Sequence, residues 1–151
     1  MSPTPVLPDP TPTIEAATGP QLDVEGLRVR VPEKWRKTYD TIFSDAGQGP
    51  RGSVLLTVFA TDQLSLAASM KKFWEKRKPP TGFEPQDSTV MGGLTAYYYT
   101  SRPNDFDVDH VVGLWDSGYV VKVSVSLSRD IPATRQREIL DSVVASYERK
   151  S

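Results

Sequence analysis

Val108-Asp-His-Val-Val-Gly-Leu-Trp-Asp-Ser-Gly-Tyr-Val-Val-Lys-Val-Ser-Val-Ser-Leu-Ser128 is the stretch from which the fold can be read. Asp116-Ser117-Gly118 is a hairpin connection, because glycine supplies the positive φ that tight turns between antiparallel strands need. Beyond it Tyr119, Val121, Val123, Val125 and Leu127 alternate with Lys122, Ser124, Ser126 and Ser128. A period of two puts the apolar set on one face and the polar set on the other, which is the pattern of a strand. Val108 to Trp115 is then its antiparallel partner.

Working outward, Arg102-Pro-Asn-Asp105 is a turn, and Leu94 to Ser101 is another strand, carrying Tyr97, Tyr98 and Tyr99. Met91-Gly92-Gly93-Leu94 before it is a hairpin turn. Near the start of the folded part, around Leu22, Leu27, Val29 and Val31 alternate with Arg28 and Arg30, so a half-buried strand is predicted that Pro32 ends. Tyr39 to Phe43 is a short second strand. Asp45 to Gly52, with three glycines and a proline, is expected to be a loop. Ser53 to Thr61 is apolar on both faces, as a strand covered on both sides would be.

Two segments have a helical period instead. Leu66, Met70, Phe73, Trp74 and Arg77 form one stripe, opposite Lys71, Lys72, Glu75, Lys76 and Lys78; Pro79-Pro80 stops the helix. Pro132 suits the first turn of a second helix, with Ile139, Leu140, Val143, Val144 and Tyr147 on its buried stripe and Arg149 and Lys150 near its C-terminus. The expected fold class is α+β: an antiparallel β-sheet flanked by helices.

Composition narrows the chemistry. The chain has 151 residues, 25% of them charged, with a formal net charge of −1, so no nucleic-acid partner is expected. There is no cysteine and one histidine, which excludes disulfides, thiolate catalysis, cysteine-held clusters and a multi-histidine metal site within one chain. No cofactor is expected. Pro3, Pro5, Pro8, Pro10, Pro12 and Pro20 mark residues 1–21 as a disordered proline-rich stalk, and 22–151 as a single α+β domain. Such a stalk suits a domain held away from a membrane, with a lipid anchor upstream. A disordered tail on a cytoplasmic protein is the alternative.

In this order the motifs resemble the Mog/PsbP-like fold family, an α/β/α sandwich around an antiparallel sheet. The carriers are Val29-Arg-Val31-Pro32-Glu-Lys-Trp35, the strand and amphipathic helix of Ser53 to Lys78, Val90-Met-Gly92-Gly93-Leu-Thr-Ala96, and Ile139-Leu140-Asp141-Ser142. The match covers about residues 25–148, and the stalk is similar to those of the bacterial envelope branch, the LpqN-type and DcrB-like lipoproteins. The resemblance implies a non-enzymatic binding or accessory protein, located in the cell envelope or outside the cell and tethered to a membrane. The alternative is a cytoplasmic adaptor of the same fold. Its partner would be a protein or a small apolar ligand; the partners of other members do not transfer, since a shared fold does not carry a shared function.

Among residues with chemistry, His110 is the one neutral-pH base, and a hydrolase built around His110 and Asp109 is the less favoured enzyme reading. Asp105, Asp107 and Asp109, with Asp116, imitate positions 1, 3, 5 and 12 of a calcium loop. His110 stands where that loop needs glycine, and Asp116 is one methylene shorter than the usual glutamate, so no metal is expected. The basic run from Lys71 to Lys78 reads as a solvated helix face. Tyr97 and Tyr99 point to one side of their strand, and with Trp115 on the neighbouring strand they can line a pocket or partner surface. The site expected from sequence is therefore Tyr97, Tyr99, Trp115 and His110.

Overall fold

The structure is a computed structural model in which residues 14–41, 43–60 and 81–149 are described. The helix expected over 66–77 and the first part of the stalk lie outside the described residues. Among the described residues, ten strands and one helix follow in chain order: β1 (Gln21–Val24), β2 (Leu27–Arg30), β3 (Arg36–Asp40), β4 (Ser44–Gly49), β5 (Gly52–Ala60), β6 (Glu84–Met91), β7 (Leu94–Ser101), β8 (Asp107–Asp116), β9 (Tyr119–Ser128), α1 (Ala133–Ala145) and β10 (Glu148–Arg149). Seven strands form one sheet in the order β3-β4-β5-β9-β8-β7-β6, and β1-β2-β10 form a second, small sheet. Every pairing is antiparallel. The fold is thus α+β and mostly antiparallel sheet with one described helix; helices flanking both faces are not shown.

The hairpin read from Asp116-Ser117-Gly118 is present, with Ser117 and Gly118 both at positive φ and Asp116 opposite Tyr119. Register carries the alternation of β9 across the sheet. Val121, Val123, Val125 and Leu127 share a face with Val112 and Leu114 of β8, Ala96 and Tyr98 of β7, and Val54, Leu56 and Val58 of β5. All of them are buried. Against this face pack Ile139, Leu140, Val143 and Val144 of α1 and Leu22, Val24, Leu27 and Val29 of the small sheet, and together they make the core. Burial of about twenty such side chains is the main stabilising force.

Three expectations are corrected. Asp45 to Gly52 is not a loop: residues 44–49 form β4, and only Pro50 and Arg51 turn back into β5. Its glycines are there for close packing. A side chain on Gly47 would strike Val31, and one on Gly49 would overlap the Trp35 indole. The second strand runs from Arg36 to Asp40, earlier than Tyr39 to Phe43. Residues beyond Ala145 leave the helix, so buried Tyr147 follows it and Arg149 lies in β10, paired with Leu27. At the other end the chain is anchored before Leu22: Ala17 N–H donates to Ser142 O (2.8 Å) and Gly19 N–H to Val31 O (2.8 Å).

Candidate functional site

The two faces of the sheet divide the residues expected at the site. In β7 and β8, Tyr97 lies opposite Gly113 and Tyr99 opposite Val111, so both tyrosines share a face with Trp115, two residues beyond Gly113. The rings of Tyr97 and Tyr99 stack, with centroids 6.0 Å apart and planes within 4°. Phe83 tilts against Tyr99 at 5.0 Å. Gly113 makes the arrangement possible, because any Cβ there would overlap the Tyr97 phenol. Trp115 is 37% exposed, and Val90 of β6, which pairs with Thr95 and so points to the same side, is 63% exposed. Val90 escaped the sequence reading because nothing local to β6 reveals which way that strand faces.

This face is not uniformly apolar. The row Tyr97–Gly113–Lys122–Thr57 crosses four strands; the next is Tyr99–Val111–Ser124–Leu55, and then Ser101–Asp109–Ser126–Ser53. Burial pushes the Tyr97 phenol well above its ordinary value and also raises that of Tyr99, with the neighbouring Tyr99 and the Asp109 carboxylate adding to the respective shifts. Burial pulls the Lys122 ammonium below its ordinary value, and the Asp109 charge partly restores it. Asp109 Oδ1 is buried and has no hydrogen-bond partner among the described residues.

His110 lies on the opposite face, buried. Its Nδ1 is 2.8 Å from the Tyr98 hydroxyl and its Nε2 is 2.8 Å from Gln136 Oε1 of α1. Gln136 Nε2 donates to Ile131 O (2.8 Å) and Ser128 O (3.4 Å), which orients the amide with Oε1 toward the imidazole. His110 therefore donates from Nε2 and accepts at Nδ1, as a neutral ring. Burial lowers its pKa, opposed by the bond to Gln136. The Arg137 guanidinium sits 5.0 Å from the Tyr98 ring centroid and closes this side. The sequence reading missed Gln136; the signal for it was a polar residue on the apolar stripe of α1, at the spacing of Ile139 and Leu140.

The aspartates that imitate a calcium loop are dispersed. Asn104 Nδ2 holds the Asp107 carboxylate (3.0 Å), in a turn where Asn104 Oδ1 accepts from the Phe106 and Asp107 amides. Asp109 faces the tyrosine side, whereas Asp116 is buried at the far end of β8 on the core side. There Asp116 accepts from Tyr147 Oη (2.5 Å) and Arg149 Nη1 (2.8 Å), so its carboxylate clamps the chain after α1 to the β8–β9 turn. A second buried carboxylate, Asp45, accepts from the Asp23 amide (3.0 Å) and Lys37 Nζ (2.9 Å) and ties the small sheet to β4. No group of three or more His, Asp or Glu suited to a metal occurs among the described residues.

No protein-family model matches the chain, and no curated protein sequence does. Solved structures do. The Ran-binding protein Mog1p of Saccharomyces cerevisiae superimposes with a TM-score of 0.57 at 10% identity, over 88% of this chain and 96% of its own. The fold is Mog1-like. A protein from Bacteroides thetaiotaomicron superimposes with a TM-score of 0.61 at 10% identity over 89% of this chain, which spans 50% of that one. LpqN, involved in cell envelope biogenesis of Mycobacterium tuberculosis, gives 0.45 at 14% identity, over 82% of this chain and 85% of its own. At these identities the likeness to Mog1 concerns the Mog/PsbP-like fold alone.

Proposed function

We propose that this chain is a non-catalytic binding module of the cell envelope, and that the face bearing Tyr97, Tyr99 and Trp115 makes its contacts with a protein partner. One observation carries the reading: the aromatic residues and Val90 collect on one face while the lone imidazole is spent on the other. A histidine whose two nitrogens are both engaged in a buried chain, and whose pKa burial lowers, is poorly placed to act as a general base on a substrate. The Mog1-like fold adds support, since Mog1p is itself a Ran-binding protein. The envelope location rests on the proline-rich start of the chain. No described helix is long and apolar enough to cross a membrane.

The test is a photo-crosslinking residue placed at Trp115 in cells expressing the full chain, with the same residue at Phe43, also exposed, as the control. A discrete adduct from position 115, absent from position 43, is the expected result. No adduct from 115, together with turnover of an ester or peptide substrate that His110→Ala abolishes, would replace the binding module with an enzyme.

A further inference from the structure

At β3, one edge of the seven-stranded sheet, lies a hollow of about 620 Å3. Lys34, Arg36, Lys37 and Thr38 border it on the β3 side, Gln48 and Gly49 on the β4 side, and no carboxylate is among its described neighbours. Lys37 already has a counter-charge: its Nζ lies 2.9 Å from buried Asp45 Oδ2, with Asp40 and Asp23 further off. Lys34 and Arg36 are exposed, and their side chains bond to no described residue. Two positive charges are therefore left at the hollow, in a chain whose net charge is −1. Solvated cations are common on edge strands, where they discourage edge-to-edge pairing. Two features set these apart. Lys34 has φ 73°, a left-handed backbone that favours glycine, yet the position carries a lysine that borders the hollow. The indole of Trp35 lies so close to Gly49 that a Cβ there would overlap it, which pins the chain between the two cations to β4. Arg36 pairs in register with Gln48, so their side chains stand next to each other on one face.

We infer that this hollow binds a phosphate monoester on a small polyol carrier. A monoester carries close to two negative charges at neutral pH and so offsets Lys34 and Arg36 together. A carboxylate or a phosphodiester, with one negative charge, leaves a cation over. The planar guanidinium takes two phosphate oxygens at once, and lysine adds a point charge. A phosphate group fills only a fraction of the hollow, and the Thr38 hydroxyl and Gln48 amide are there for the hydroxyls of the carrier. The site stands at the sheet edge away from β7, so its failure would leave the reading of the tyrosine face intact.

Titration of the full chain with glycerol 3-phosphate, followed through the backbone amide resonances in NMR spectra, tests it, with glycerol and dimethyl phosphate as controls. Saturable shifts are expected at residues 34–38 and 47–49, with dimethyl phosphate binding about tenfold or more weaker and glycerol silent. Lys34→Gln and Arg36→Gln should each weaken binding by about tenfold or more. Arg36→Lys should weaken it severalfold, since the charge stays and the fork is lost. Arg102→Gln, at an exposed arginine of the β7–β8 turn, should leave it unchanged. All three positions are exposed, so the variants should keep the fold, which the same spectra report. No binding, dimethyl phosphate as tight as the monoester, shifts spread over cations elsewhere, or an equal loss from Arg102→Gln would each overturn the assignment. Sedimentation with phosphatidylcholine vesicles containing phosphatidic acid separates a lipid source from a soluble one. Attachment that Arg36→Gln abolishes, without saturable binding of glycerol 3-phosphate, would overturn the polyol carrier.

Discussion

Gln136 and His110, 26 positions apart, meet at 2.8 Å through Oε1 and Nε2, and this contact joins α1 to the middle of the sheet. With Tyr98 on the other nitrogen it makes a directed chain from a phenol, through an imidazole and an amide, to the carbonyl of Ile131. Buried polar chains of this kind are stable when every member is satisfied and costly when one is not.

A first prediction concerns pH. Burial lowers the His110 pKa in the folded chain below the ordinary 6.5, so the unfolded state binds its proton first as pH falls. The stabilising effect is complete above pH about 6.5 and is lost as pH drops through that value toward the folded pKa. Urea unfolding between pH 8 and pH 5 should show stability falling with acidity, and His110→Leu should lower stability at pH 8 but flatten that slope. Equal slopes in the two proteins would contradict the assignment.

The carboxylate clamp gives a second. Tyr147→Phe removes the donor to buried Asp116 Oδ2 and leaves an acceptor short of a partner, at a cost of about 1–3 kcal/mol. Asp116→Ala, which also frees Arg149, should cost at least as much. Urea midpoints measure both, and a wild-type midpoint for Tyr147→Phe would show that the clamp carries no weight.

The turn glycines give a third, as a matched pair. Gly92 and Gly93 both have positive φ, 60° and 78°. Alanine at Gly93 meets nothing within 4 Å and should cost only the backbone strain, about 1 kcal/mol. Alanine at Gly92 would put its Cβ 2.5 Å from the Tyr147 ring and should cost clearly more. Thermal melts that rank the two variants in the other order would contradict the packing described for Tyr147.

Gly113→Ala gives a fourth. Its methyl group would displace the Tyr97 phenol and break the stack with Tyr99 while leaving the core face untouched. The variant should stay folded by circular dichroism, with the Tyr97 and Tyr99 ring resonances shifted in NMR spectra and adduct formation at position 115 reduced. Unshifted rings would show that the stack does not depend on Gly113.

How much of this was visible in the residues depends on the distance over which each feature is determined. The β8–β9 hairpin was legible because turn chemistry and two-residue alternation are local, and the placement of Tyr97 and Tyr99 on one face follows from strand geometry alone. β4 was hidden because Asp45-Ala-Gly-Gln-Gly reads as a loop by propensity. Its strand conformation is imposed by pairing with β3 and β5 and by the approach of Val31 and Trp35, which glycine permits. His110 was grouped with the aromatic residues because it is close to them in sequence, yet its parity in β8 already placed it opposite Trp115. That Asp109 Oδ1 has no partner among the described residues could not be read at all, since it depends on which donors other strands supply. Lys122 left a trace, as the one charge among serines on the polar side of β9.

The claim that contacts are made through the tyrosine face is tested most directly by amide hydrogen exchange of the full chain, free and bound to the partner captured at position 115. Slowed exchange on binding is predicted for residues 94–99 and 111–115, with α1 and β3 unchanged. Protection confined to α1 or to the β3–β4 hairpin, with residues 94–99 and 111–115 unaffected, would contradict it.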